Sequence, residues 1–128
     1  NEELCHAKGL LPIRLIAPTT PKARISQIAN SALGFIYYVS REGVTGKQTK
    51  LADGIQEQIS SIKKLTDLPI VVGFGISSPE QSKDIARMSD GVVVGSAIVD
   101  FISQNKNQSN LKELVHDFVK PLADASKT

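Results

Sequence analysis

Apolar positions along the chain switch between two spacings. Short, nearly unbroken β-branched runs alternate with stretches where apolar residues recur every three or four positions, the signatures of strands and amphipathic helices. Glu2 to Lys8 reads as the last turns of a helix, with Gly9 available as its left-handed end. Leu10 to Ala17 reads as a buried strand with Pro12 near its beginning. Thr20 followed by Pro21 predicts a helix cap and first helical residue. Ile25, Ile28, Ala29, Ala32 and Leu33 then form one stripe, and Gly34 closes it.

The unit recurs three times. Phe35 to Val39 predicts a second strand, and Leu51, Ile55, Ile59 and Ile62 a helix that ends before Pro69. Ile70 to Phe74 predicts a third strand. Ser78-Pro79-Glu80-Gln81 follows as a capping box opening a helix with Ile85, Ala86 and Met88 inward. Val92 to Val94 predicts a fourth strand and Ala97 to Ile102 a short helix. After a polar loop from Asn105 to Asn110, Leu111 to Ala123 predicts a closing helix capped by Asn110, with Leu111, Leu114, Val115, Phe118 and Leu122 on one face. Apolar runs rather than clean alternation indicate a parallel sheet, and helical crossovers return every strand in the same direction. Four βα units make either a small open doubly wound sheet or half of an eight-stranded barrel.

Composition narrows the function classes. The chain has 128 residues, 41% of them hydrophobic and 22% charged, the balance of one globular domain. A net charge of +2, evenly scattered, argues against a nucleic-acid or polybasic membrane surface. No apolar run approaches the roughly 18 residues of a membrane span, and no signal peptide opens the chain. The lone Cys5 excludes an internal disulfide and fits a reducing cytoplasm; His6 and His116 have no neighbour at zinc-ligand spacing.

Chemistry is expected beyond the carboxyl ends of the strands. Three of the four ends are built on glycine: Ser40-Arg41-Glu42-Gly43-Val44-Thr45-Gly46, Gly73-Phe74-Gly75 and Gly95-Ser96-Ala97. Glycine lets a backbone N–H approach an anion, and the last loop runs into a helix whose free amides favour phosphate. The dinucleotide fingerprint and the Walker lysine are both absent, so a monophosphate fits best. Tight turns alone would also use glycine, but three such loops together favour an anion cradle.

Phe35 to Gly46, Gly73 to Gln81 and Asp90 to Val99, containing GVTG and GFGISSPEQ, resemble the tryptophan synthase alpha chain in order and spacing over essentially the whole sequence. The resemblance implies a TIM-type (βα)8 barrel, of which residues 1–128 supply the C-terminal (βα)4 half, strands five to eight, with 1–9 ending the preceding helix. It implies retro-aldol cleavage of indole-3-glycerol phosphate to indole and glyceraldehyde 3-phosphate, with no metal or organic cofactor. Its implied partner is the pyridoxal-phosphate β chain in an alpha2-beta2 complex. Phosphate-binding positions fall on Gly46, Gly75, Gly95 and Ser96, pocket positions on Tyr37 and Phe74, and a lid position on Thr45.

No strand end offers the carboxylate pair such chemistry needs. The family's acid and base precede this sequence, so no residue here is catalytic and the piece alone is expected to be inactive. The helix-stub opening, with Asn rather than Met first, fits a truncated chain. Two rival readings are another phosphate-binding barrel enzyme and a non-catalytic half-barrel assembly module. Arg41 to Ile55 reads as a lid hinged at Gly43 and Gly46, and Glu42 as a solvated loop residue. Tyr37 and Tyr38 must face opposite sides of their strand. Cys5 reads as a small core residue and His116 as solvent-facing, while Arg14 interrupts an apolar strand and could face the interior or a partner.

Overall fold

A computed structural model describes residues 2–40, 48–73 and 75–127. Helix α1 (Glu2–Ala7) precedes four βα units: β1 (Arg14–Ile16) with α2 (Lys22–Ser31), β2 (Ile36–Val39) with α3 (Gln48–Lys63), β3 (Ile70–Gly73) with α4 (Pro79–Ala86), and β4 (Gly91–Val93) with α5 (Ser96–Asn105). Helix α6 (Leu111–Ala125) closes the chain. The strands form one sheet in the order β1-β2-β3-β4, every pair parallel. The alternation read from the sequence is therefore the observed one.

The register divides the side chains into two faces. Ile16, Tyr38, Val72 and Val92 lie in one row, and Arg14, Ile36 and Ile70 in a second row on the same face. Helices cover this side: Ile16, Ile36, Tyr38, Ile70 and Val72 are buried with Ile55, Ile59 and Ile62 of α3 and Ile85 of α4. Leu15, Tyr37 and Val71 share a row on the opposite face, joined by Val39 and Val93. No helix covers that face among the described residues, and Leu15 is 58% exposed. Arg14 thus belongs to the helix-covered side rather than the open one. Tyr37 and Tyr38 divide as strand geometry requires: Tyr38 is buried and donates its hydroxyl to Gln58 Oε1 at 2.6 Å, while Tyr37 stands on the open face.

Several boundaries differ from the sequence expectation. Strand β1 is shorter than Leu10 to Ala17 because pairing begins only where β2 lies opposite, at Arg14↔Ile36; Leu10 and Leu11 remain exposed. The N-cap of α2 is Pro21, not Thr20. The Thr20 hydroxyl is occupied in the preceding turn, accepting the Ala17 N–H at 2.9 Å. Helix α2 ends at Ser31, which leaves Leu33 outside it and exposed. Helix α5 runs from Ser96 to Asn105, beyond the predicted Ala97 to Ile102, and within it Phe101 stacks on Phe118 of α6 with centroids 4.4 Å apart. Asn110 occupies the α6 cap position without making the side-chain bond. Cys5 is half-buried and outside the core cluster, and His116 is exposed beside Asp117.

The capping box forms as expected. Ser78 Oγ accepts the Gln81 N–H at 3.3 Å, and Gln81 Oε1 accepts the N–H groups of Ser77 and Ser78 at 2.9 and 3.3 Å. Helix α4 is tied to α6 by buried Ser82, whose hydroxyl donates to the Leu122 carbonyl at 2.8 Å.

At the amino ends of the strands Asp90 acts as a clamp. Its Oδ2 accepts the Ile70 N–H at 2.8 Å and its Oδ1 pairs with Lys63 Nζ at 3.0 Å, joining the end of α3 to the start of β3. The Ile70 N–H, and secondarily Lys63, holds this carboxyl below its usual range against partial desolvation. Asp90→Ala is expected to cost about 1–2 kcal/mol, the low end for charge-assisted bonds, because the side chain is 40% exposed. A depressed folded-state value means the stabilisation is complete above about pH 4 and disappears as pH falls through the lowered value. Urea midpoints measured for both proteins at neutral and acid pH should converge on acidification; a constant difference would contradict the assignment.

Candidate functional site

All four strands run the same way, so their carboxyl ends form one edge. That edge carries Ala17 to Thr20 after β1, Ser40 after β2, Gly75 after β3, and Val94 to Ser96 after β4. Of the residues read from the sequence as a site, the structure describes Tyr37, Gly75, Gly95 and Ser96. Thr45, Gly46 and Phe74 lie outside the described residues, as do Glu42 and the lid hinges Gly43 and Gly46.

The glycines of this edge are glycine for three different reasons. At Gly73 an added Cβ would fall on the Tyr37 ring, 2.7 Å from Cε2 and 2.9 Å from Cζ, with the hydroxyl closer still. The missing side chain lets the Tyr37 ring lean along the open face toward the carboxyl edge. Gly75 has φ +55°, a left-handed conformation that other residues adopt at a cost of about 1–2 kcal/mol. Gly95 has neither constraint: its φ is −111°, and nothing lies within 4 Å of the position a Cβ would take. Its absent side chain leaves open space directly in front of α5.

That space faces unpaired donors. Gly95 is the N-cap of α5, and its carbonyl accepts the N–H groups of Ile98 and Val99 at 3.0 and 3.2 Å. The amides of Ser96 and Ala97 precede those bonds, and no side chain caps the helix. Free amides, the positive end of the helix dipole and unobstructed approach together make an anion site. Ser96 adds a hydroxyl at the first helical position.

Glu80 in the first turn of α4 is held below the usual carboxylate range by its backbone N–H and by the Ser78 hydroxyl. A carboxyl so stabilised in its charged form is a weak proton carrier near neutral pH. No group of three or more His, Cys, Asp or Glu residues able to hold a metal occurs among the described residues. Among the same residues, no helix is long and apolar enough to cross a membrane.

One feature of this edge escaped the sequence reading. Ser40 donates its N–H to the Gly73 carbonyl at 3.1 Å, yet its buried hydroxyl has no hydrogen-bond partner among the described residues. A serine ending an apolar strand was the only signal, and pattern does not reveal whether a hydroxyl is satisfied. An orphaned buried hydroxyl costs about 1–3 kcal/mol. Ser40→Ala is therefore expected to raise the stability of this chain, by up to about 1 kcal/mol once lost packing is subtracted. A destabilisation of similar size in urea titration would show that the hydroxyl has a partner in solution.

Comparison with known proteins is consistent along the chain. The family model described as "Tryptophan synthase alpha chain" matches residues 1–127. A tryptophan synthase alpha chain from Opitutus terrae is 54% identical over 101 residues, 79% of this chain and 38% of the relative. One from Erythrobacter litoralis is 45% identical over 120 residues, 94% of this chain and 46% of the relative. The solved tryptophan synthase subunit alpha from Campylobacter jejuni superposes with a TM-score of 0.83 at 31% identity, covering 94% of this chain and 47% of that one. The chain thus spans less than half the length of these relatives.

Proposed function

The chain belongs to the tryptophan synthase alpha chain family, its four βα units being one half of a TIM-type barrel, and from that premise we propose that it supplies the phosphate-binding half of an enzyme cleaving indole-3-glycerol phosphate to indole and glyceraldehyde 3-phosphate. The reaction is a retro-aldol cleavage. The bond between the indole ring and the glycerol carbon breaks, the ring carbon gains a proton, and the adjacent hydroxyl loses one to become the aldehyde. No redox partner or organic cofactor is needed. The acid and base belong to the half of the barrel that precedes these residues in the longer relatives.

In this reading the amides of Gly75, Gly95 and Ser96, with the Ser96 hydroxyl and Gly46, hold the phosphate. Tyr37 and Phe74 flank the remainder of the substrate, and Thr45 belongs to the loop that closes over it. The indole product passes to a tryptophan synthase beta chain, in a cytoplasmic assembly. The observation that supports this best is Gly95: neither a left-handed φ nor crowding requires glycine there, and what its absence of side chain leaves free is the uncapped start of α5.

The test is reconstitution. This chain alone should release no indole from indole-3-glycerol phosphate, and mixing it with a chain carrying the four preceding βα units should restore cleavage. A 1:1 complex that forms without releasing indole would overturn the catalytic reading. A complex active only on a different sugar phosphate would favour another barrel enzyme.

A further inference from the structure

We propose that the cleft between α2 and α3, on the helix side of the sheet and reaching the strand-end edge only at the loop after β1, binds a small amphiphilic carboxylate. The cleft has a volume of about 410 Å³, within the range of small-molecule sites. Its walls are chemically divided. Ile25 of α2, Ile62 of α3 and Leu65 just beyond α3 give an apolar side; Thr20, Lys22, Ser26, Gln58 and Ser61 give a polar one.

Thr20, Lys22 and Gln58 present donors, whereas the Ser26 and Ser61 hydroxyls donate to the Lys22 and Glu57 carbonyls of their own helices. Lys22 carries an ammonium at the start of α2. Thr20 Oγ1 already accepts the Ala17 N–H, which leaves its own O–H to donate. Gln58 is oriented through its carbonyl oxygen, which accepts from buried Tyr38, leaving its two amide hydrogens as donors. No Asp or Glu lines the cleft. Three donor groups, one cationic, beside an apolar wall with no acid complement a compact anionic head on a hydrocarbon or aromatic body. A carboxylate meets that description, because Thr20 and Gln58 can divide its two oxygens while Lys22 supplies the charge.

Phenylacetate is the probe, titrated into the 1:1 complex of this chain with the four preceding βα units, isotope-labelled in this chain alone and followed by amide-resolved NMR. Saturable shifts are expected at Thr20, Lys22, Ile25, Gln58 and Ile62, with a Kd of about one millimolar for a ligand this small. Lys22→Met should weaken binding about fivefold, the size of a partly exposed charge pair, and Lys22→Arg should retain it. Leu65→Glu, at an exposed position, should block the site without disturbing the core. Phenethyl alcohol, the neutral counterpart, should bind at least about fivefold more weakly than phenylacetate. Equal binding of acid and alcohol would overturn the proposal. So would shifts confined to Gly75, Gly95 and Ser96, or no saturation with phenylacetate in tenfold excess over the expected Kd.

Discussion

Gly95→Glu is expected to weaken binding of glycerol 3-phosphate about a hundredfold while leaving the fold unchanged. The two parts of that outcome have separate causes. The fold is spared because φ at Gly95 is negative and no atom lies within 4 Å of the new Cβ. Binding is lost because the carboxylate occupies the space before α5 and competes for the Ser96 and Ala97 amides. Each charge-assisted bond from these amides is worth about 1.5–3 kcal/mol, so losing both, even at the low end of that range, accounts for the hundredfold loss. Gly75→Ala provides the opposite case. At φ +55° it should cost about 1–2 kcal/mol of stability through left-handed strain, which lowers Tm by roughly 3–8 °C for a domain of this size. Isothermal titration and thermal unfolding of both variants separate a glycine kept for its ligand from one kept for its backbone. Unchanged affinity in Gly95→Glu would remove α5 from the anion site.

The second large effect concerns association. The 128-residue chain is expected to sediment as dimers or larger species at micromolar concentration. Strands β1 and β4 each end the sheet with one unpaired edge, a template for further pairing. The open face adds Leu15, Tyr37, Val39, Val71 and Val93, and Leu10 and Leu11 extend apolar exposure beside β1. Leu15→Lys should raise the dissociation constant about a hundredfold or more, because an unpaired ammonium enclosed in an apolar contact costs on the order of 3 kcal/mol or more. A wild-type chain that sediments as a folded monomer would refute the expectation. Adding the complementary half should convert the self-associated species to a 1:1 complex, because it offers the same edges a better-matched partner.

Much of this protein was legible in its sequence, and the reasons are local. Strand-to-helix alternation follows from periodicities that no tertiary contact needs to create: the β-branched runs at Ile36 to Val39 and Ile70 to Gly73, and the helical stripe Ile55-Ile59-Ile62, appear where the pattern puts them. The α4 capping box is likewise written in four consecutive residues. Parallel pairing follows from helical crossovers. The segments GVTG and GFGISSPEQ carried the family resemblance that comparison of the whole chain then established.

What tertiary structure alone decided is which of two equivalent local choices was realised. Residues 10–13 read as strand, yet a ladder needs a partner, and β2 lies opposite only from Arg14 onward. Thr20 reads as a helix cap, but its hydroxyl accepts the Ala17 N–H in the preceding turn and the cap position falls to Pro21. Gly73, Gly75 and Gly95 are the same letter in sequence. One makes room for the Tyr37 ring, one takes a left-handed turn, and one leaves a helix end open. Alternation placed Tyr37 and Tyr38 on opposite faces, but only the packed helices determined that Tyr38 is covered and Tyr37 left on the open side. Periodicity is a property of neighbours in the chain, whereas partners, crowding and free volume depend on residues far apart in it.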